Sequence, residues 1–307
     1  MTNTCDGKIE LNVIACIFIE GVEMKLVTLF SIIVFILVLI SAGMGVFYTT
    51  PGEPFEFTTV RGEQALIKGS GLYRYDPLVL AQEGIVWDAV NLWVGLPLFA
   101  LAIYFNWRNS LRGRLFLNGM LFYFFYTYLQ LMVMYAFNVL FLVYVAIYAL
   151  SAVAFFANIL QVDVNRLPQQ ISERIPRRLF IGFTFFVALM LILLWSGRIV
   201  PILQSGRFPP ELAGLTTLET QGFDLGMVVP LMLSSGILLW KRSPLGYLLA
   251  SISLSYGLMM SIVLPAWIVV PLIQEGKTNL VEALPFSIIC VVGIVLAVVF
   301  FRSVKES

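Results

Sequence analysis

The sequence contains no histidine, and only 12% of its 307 residues are charged. Soluble domains carry about 25%, so there is too little polarity here to clothe a water-facing surface. The absence of imidazole removes the commonest transition-metal ligand, the general base poised near neutral pH and the usual haem ligand. Cysteine is scarce too, and Cys5, Cys16 and Cys290 are the three present. None stands in a C-x-x-C pair, so neither a zinc site nor a redox couple is expected. Cys290, in an apolar run, reads as a small hydrophobe. No Asn-x-Ser/Thr acceptor and no lipidation motif occurs. Net charge is missing as well: 19 Lys and Arg face 18 Asp and Glu, which leaves no field for nucleic acid. Disorder needs the opposite composition. No cofactor and no metal is expected.

What the chain has instead is hydrophobic sequence, 60% of residues with a mean hydropathy of +0.92. A membrane span needs about 20 apolar residues. Eight stretches qualify: 26–48, 87–106, 115–136, 139–158, 179–200, 224–240, 245–270 and 282–301. The third and fourth are separated only by a neutral turn at Phe137-Asn138. Fused, they would make one helix of 44 residues (115–158), too long for a single crossing, so a tight antiparallel hairpin is expected. The composition predicts an all-α polytopic membrane protein with eight transmembrane helices in the lipid bilayer of the cytoplasmic membrane.

Basic residues in short loops set the orientation. With the N-terminus inside, 13 of the 19 Lys and Arg fall on the cytoplasmic side, among them Arg108, Arg112, Arg114, Arg177, Arg178, Lys241 and Arg242. The other side keeps Arg61, Lys68, Arg74, Arg198, Arg207 and Lys277. Both termini are therefore expected inside. The chain divides into a cytoplasmic segment 1–24, a first four-helix half 25–158 with an outer loop 49–86, a basic linker 159–178, a second half 179–301 and a tail 302–307. An alternative concerns the start. Met24-Lys25 followed by an apolar run resembles a signal anchor or a signal peptide cleavable at Ser41-Ala42-Gly43, which would leave seven spans. Apolar residues continuing through Val46 and Phe47 favour retention.

Sliding the chain by 133 positions aligns Pro97–Thr127 with Pro230–Met260 without a gap. Trp107 meets Trp240, Ser110 meets Ser243, Gly113 meets Gly246 and Tyr123 meets Tyr256, among eight identities in 31 positions. Two halves of four spans, both entering from the cytoplasm, would form a parallel 4+4 internal repeat about an axis along the membrane normal. The alternative is two hairpins sharing proline, tryptophan and leucine by composition.

In the outer loop, Phe55–Val60 is β-prone, Arg61-Gly62 suits a turn, and Ala65-Leu66-Ile67 and Leu72–Tyr75 follow. A small extracytoplasmic β-hairpin or meander is expected there. Asp76-Pro77 suits the start of a short helix leading to the second span.

Few polar residues fall inside the apolar segments. Asp88, Asn91 and Asp224 near the outer ends of spans two and six form a candidate outer vestibule for a cation or amine. Helix capping by the two acids is the competing reading. Span three places Tyr123, Tyr126, Thr127 and Gln130 on one face, and span four does so with Tyr144, Tyr148, Ser151 and Asn158. Facing each other across the hairpin, they form either a polar track for a solute or a set of interhelical hydrogen bonds. Pro97, Pro230 and Pro265 fall inside spans and are candidate helix kinks. Catalysis finds little support, because no nucleophile–base pair, metal cluster or nucleotide motif is present. An enzyme would have to work with Asp76, Glu83, Asp88 or outer tyrosines.

Gly71-Leu72-Tyr73-Arg74-Tyr75-Asp76, Trp87-Asp88, Gly95-Leu96-Pro97-Leu98, Phe223-Asp224-Leu225-Gly226 and Ser243-Pro244-Leu245-Gly246-Tyr247 carry a resemblance. Across most of residues 50–260 the chain resembles a set of uncharacterised prokaryotic multi-pass membrane proteins of about eight spans. The resemblance implies that the outer loop, Asp88 and Asp224 belong to a shared pattern, and it brings no activity with it. The leading functional expectation is transport or binding of a small solute or cation through the bundle. A non-transporting accessory, sensor or assembly subunit acting through the outer loop is the alternative, and a membrane-embedded enzyme the third.

Overall fold

A computed structural model describes residues 24–172, 175–208, 212, 214–274 and 280–306, with side chains for all of these except 24, 268–274 and 280–286. Residues 1–23, with Cys5 and Cys16, lie outside the described set, as do Arg174 and Lys277. The helices are α1 (Met24–Phe47), α2 (Leu78–Val90), α3 (Leu96–Trp107), α4 (Leu111–Met134), α5 (Phe141–Leu160) and the single turn α6 (Leu167–Gln170). They continue with α7 (Arg177–Ser205), α8 (Glu219–Phe223), α9 (Val229–Trp240), α10 (Pro244–Gln274) and α11 (Leu280–Ser303). Two strands, β1 (Phe55–Thr58) and β2 (Gln64–Ile67), lie between α1 and α2.

Among the described residues, seven helical segments are long and apolar enough to cross a membrane, with α2–α3 and α8–α9 each counting as one. The eighth expected span falls on α11, whose fully described apolar part is the shorter Ser287–Ser303. Helix α4 is the hub, packed on α3, α5 and α10, while α7 rests mainly on α9. Burial follows that placement: α4 is largely buried, whereas α7 is largely exposed. Close approach at the hub depends on Gly119, where a Cβ would strike Ser255 of α10. Across the α4–α5 hairpin, the Asn158 amide donates to Asn118 Oδ1 at 2.9 Å and to the Arg114 carbonyl at 3.1 Å.

Two prolines explain an unusual local feature. Pro97 and Pro230 stand in the first turns of α3 and α9. Proline has no N–H to give and its ring crowds the carbonyl four residues back. The backbone answers by widening to i→i+5 bonding over Asn91–Gly95 and Asp224–Val228, so that Leu96 N–H reaches the Asn91 carbonyl and Val229 N–H the Asp224 carbonyl. The expected kinks at Pro97 and Pro230 are therefore π-turns that begin on Asn91 and Asp224. Pro265 lies within α10.

The same spacing recurs beyond the π-turns, whose first residues, 91 and 224, are 133 apart. Asn109 (φ 61°) and Arg242 (φ 56°) both take the left-handed conformation that reverses the chain. Ser110 N–H donates to the Phe105 carbonyl at 3.0 Å and Ser243 N–H to the Leu238 carbonyl at 2.9 Å. At Gly113 and Gly246 an added Cβ would stand 2.5 Å from the backbone of Phe105 and of Leu238 respectively.

Strands β1 and β2 pair antiparallel, Phe55 with Ile67 and Thr58 with Gln64, and turn at Gly62 (φ 84°). The Arg61 guanidinium donates to the Leu215 and Thr216 carbonyls at 3.0 and 2.7 Å and lies over the Phe208 ring. The hairpin is thus tied to the connection between α7 and α8. Leu72–Tyr75, expected as more strand, is instead a run of turns, because Gly69 and Gly71 adopt φ 77° and 75° and bend the chain so that Tyr73 is buried.

Helices α2 and α8 start earlier than expected, at Leu78 and Glu219 rather than at 87 and 224. Their early turns carry Gln82, Glu83, Thr220 and Gln221, which hide helical sequence from a hydropathy average. One consequence is a correction. Asp88 and Asp224 lie inside their helices, and the cap positions, Pro77 and Leu218, make no side-chain cap bond.

Candidate functional site

Helix α4 stands between the two acids and offers a different tyrosine to each group. Toward α7 and α10, Tyr126 donates its hydroxyl to Asp224 Oδ1 in a very short hydrogen bond. Trp195 of α7 donates its indole N–H to Asp224 Oδ2 at 2.9 Å. Tyr256 packs edge-on against Tyr126, with ring centroids 5.3 Å apart. Asp224 comes to this position because the π-turn begins on it, and both carboxylate oxygens are engaged.

These residues line a cavity of about 410 Å³. It is lined by Glu83, Arg198, Glu219 and Gln221, by Gln130, Asp224, Tyr126 and Tyr256, and by Phe183, Met232, Met260 and Cys290. Gln130 and Glu219 are 1% and 7% exposed, and Gln130 Oε1 and Glu219 Oε2 have no hydrogen-bond partner. Trp267 fixes the far wall by donating its indole N–H to the Glu83 carbonyl at 3.0 Å. The cavity is apolar over most of its wall.

Asp88 belongs to a separate group. Its Oδ2 accepts the Tyr73 hydroxyl at 2.5 Å, and its carboxylate lies against Gly45 of α1, where any side chain would collide with it. Beside it, Trp87 Nε1 donates to the Tyr123 hydroxyl at 2.9 Å, which in turn donates to Asn91 Oδ1 at 2.7 Å. Asp88 and Asn91 are 1% and 0% exposed. The three residues grouped as an outer vestibule therefore do not share one cavity: Asp224 lines the cavity described above, while Asp88 and Asn91 are packed among α1, α2 and α4.

The supposed polar track divides in the same way. Tyr126 and Gln130 line the cavity, and Tyr123 faces Asn91. Tyr144 sits with its ring 5.9 Å from Tyr128. Tyr148 stacks on Phe125 at 5.2 Å, and the Ser151 hydroxyl donates back to the Ile147 carbonyl of its own helix at 2.6 Å. Trp195, Gly45 and Glu219 were not singled out from sequence, Tyr73 was named only as part of the outer-loop motif, and Trp195, 29 residues from Asp224 in a leucine-rich run, gave no local sign of its role. The interval of 133 did contain one: it pairs Asp224 with Asn91, not with Asp88.

Just ahead of α2, Asp76 is 2% exposed and its Oδ1 accepts the Ala136 N–H at 2.7 Å. Burial pushes its carboxyl up from 3.8 to about 7, against the opposing pull of that hydrogen bond. A carboxyl raised in the folded state binds more protons folded than unfolded between those values, so its contribution to stability declines as the pH rises from about 4 to about 7. Asp76→Asn keeps the acceptor for Ala136 and removes the titration. Thermal melts across pH 4–8 should show the variant gaining on the parent as the pH rises to 7, with the difference level beyond it. A parent and variant that keep a constant difference would contradict this.

The fold and the cavity define a class: a helical protein with, among the described residues, seven apolar helices of membrane-crossing length and a buried acid in the wall of a mostly apolar cavity. Comparison with protein-family models, with curated proteins and with solved structures found no match.

Proposed function

We propose that the chain is an integral membrane protein that binds, and moves between the two faces of the bilayer, a small organic cation held at Asp224. The observation that carries this reading is the composition of the cavity. Three carboxylate side chains, Glu83, Glu219 and Asp224, border it against the single guanidinium of Arg198. Its spare polar atoms, Gln130 Oε1 and Glu219 Oε2, are acceptors, so they suit a ligand that brings N–H donors. Tyr126, Trp195, Tyr256 and Trp267 add aromatic faces of the kind that attract cations. The volume lies within the ordinary range for small-molecule pockets, and the apolar wall suits a hydrocarbon or aromatic tail.

The bilayer setting is supported by the outward faces of the bundle. Leu29, Ile32, Ile36 and Leu39 on α1, and Leu179, Phe186, Leu189 and Leu193 on α7, are exposed, an arrangement that in water would invite aggregation. Eight spans with both termini in the cytoplasm remain the favoured topology, since the basic residues sort to one side. The matched π-turns, left-handed turns and glycine contacts at an interval of 133 favour a parallel 4+4 repeat. In such a repeat Asn91 is the neutral counterpart of Asp224, so only the second half keeps an acid to hold a cation. The accessory-subunit reading has its own support in Phe55, Phe57, Val60 and Leu66, which are exposed on the outer hairpin.

A thermal-shift series on purified protein tests the proposal. Primary and quaternary amines with short apolar tails should raise the melting temperature in a saturable way, and carboxylates of matching size should not. Asp224→Asn should remove the response. No amine response, or one that survives in Asp224→Asn, would sink the reading.

A further inference from the structure

Away from the Asp224 cavity, the interface of α1, α2, α4 and α5 contains an unusual concentration of unmet polar atoms. Ser41 Oγ, Asp88 Oδ1 and the hydroxyls of Tyr128, Tyr135 and Tyr144 are all buried without a well-formed hydrogen bond, although Ser41 stands beside Tyr128, and Asn138 and Tyr73 beside Tyr144. None of these residues is more than 6% exposed. Protein interiors pair nearly all such groups, and a cluster of exceptions calls for a water or an ion. The atoms are neighbours: Asp88 lies within electrostatic range of Tyr128, Tyr135 and Tyr144. The Tyr73 and Tyr135 rings are 5.1 Å apart and the Tyr128 and Tyr144 rings 5.9 Å apart. Tyr73 occupies Asp88 Oδ2 at 2.5 Å and leaves Oδ1 available.

The donor set is one carboxylate oxygen and several neutral hydroxyl oxygens. Hard oxygen ligands select alkali and alkaline-earth cations over transition metals. Among the described residues no group of three or more Cys, Asp or Glu converges as a metal cage, so charge matching favours a monovalent ion. Among the described residues no basic side chain is seen to supply the balance. Lys25, Arg112 and Arg114 lie toward the opposite ends of α1 and α4, α5 has no Lys or Arg, and Arg74 stacks over Tyr75. The other titratable groups facing the cluster are the acids Asp76 and Glu83, both within range of Tyr135. An ionisable group at membrane depth without a partner is costly. Gly45 leaves room for the carboxylate, and a side chain there would occupy its place.

We propose that Asp88, with the hydroxyls of Ser41, Tyr128, Tyr135 and Tyr144, forms a site for one alkali-metal cation of the sodium class. The site is independent of the organic-cation reading at Asp224. Its test uses the full chain purified in detergent, melted in sodium, potassium, lithium or choline chloride at fixed ionic strength and at pH 8. One alkali cation should stabilise the parent saturably over choline. Asp88→Asn should lose that response, and Asp224→Asn should keep it. Tyr128→Phe is the decisive variant should Asp88→Asn fail to fold, because it removes one of these hydroxyls and keeps the ring. It should weaken the apparent cation affinity about tenfold while melting in choline no lower than the parent. Equal melting of the parent in alkali and choline salts would overturn the proposal. So would an unchanged cation affinity in Tyr128→Phe, or a stabilisation that follows protons alone.

Discussion

Gly119→Leu is expected to prevent the bundle from closing. Helix α4 is the most enclosed span and touches α10 through Gly119, where even a methyl would overlap Ser255 and sit 3.3 Å from the Ile252 carbonyl. Small residues let transmembrane backbones approach, and the attraction between them comes from that contact. A leucine adds four heavy atoms where one already collides, and overpacking of this kind costs about 1–3 kcal/mol or more. Against a total stability of about 5–15 kcal/mol, and with Tyr123 and Tyr126 on the same helix, the loss should show as aggregation or a collapsed melting temperature in size-exclusion and thermal assays. Gly182→Ala on α7 is the control. Nothing lies within 4 Å of its added methyl, so it should be neutral or stabilise slightly through helix propensity.

The second large effect concerns Asp224. Asp224→Ala strips the partner from both the Tyr126 hydroxyl and the Trp195 indole N–H. Leaving a buried donor unmet costs about 1–3 kcal/mol each, so a clear drop in melting temperature is expected before any ligand is added. Asp224→Asn keeps an acceptor oxygen and should be milder in stability. Both variants should weaken an organic cation by about 30- to 1,000-fold, the usual consequence of removing one member of a buried charge pair. Calorimetry on the parent and the two variants separates the effects. Equal affinity in all three would remove Asp224 from the site.

Much of the framework was legible because hydropathy over twenty residues reports burial in lipid without knowledge of the partners. The break at Phe137-Asn138 was visible for the same reason, and the outer hairpin from β-prone residues around Arg61-Gly62. The starts of α2 and α8 were not, because Glu83 and Glu219 line a cavity inside the protein and a window average treats them as loop. Nor were the π-turns. Pro97 and Pro230 signal a disturbed helix, but which carbonyls take up the slack depends on the packing around Asn91 and Asp224. The partners of the two acids were hidden for a further reason. Tyr73 and Gly45 meet Asp88, and Trp195 meets Asp224, through the assembly of separate helices, and no periodicity along one segment records such contacts. The composition without histidine did direct attention to Asp88, Asp224 and the tyrosines of α4. The division of those residues into two groups, one lining a cavity and one packed around a buried carboxylate, needed three dimensions.

The most direct test of an organic cation at Asp224 uses the indole already bonded to it. Trp195 is one of six tryptophans and donates to Asp224 Oδ2, so a ligand that pairs with this carboxylate must alter the surroundings of that ring. Titrating purified protein with an amine that stabilises it should give a saturable change in tryptophan fluorescence that disappears in Trp195→Phe, while calorimetry still detects binding to that variant. A fluorescence change of equal size in Trp195→Phe, or none in the parent at saturating amine, would place the ligand elsewhere and contradict the assignment.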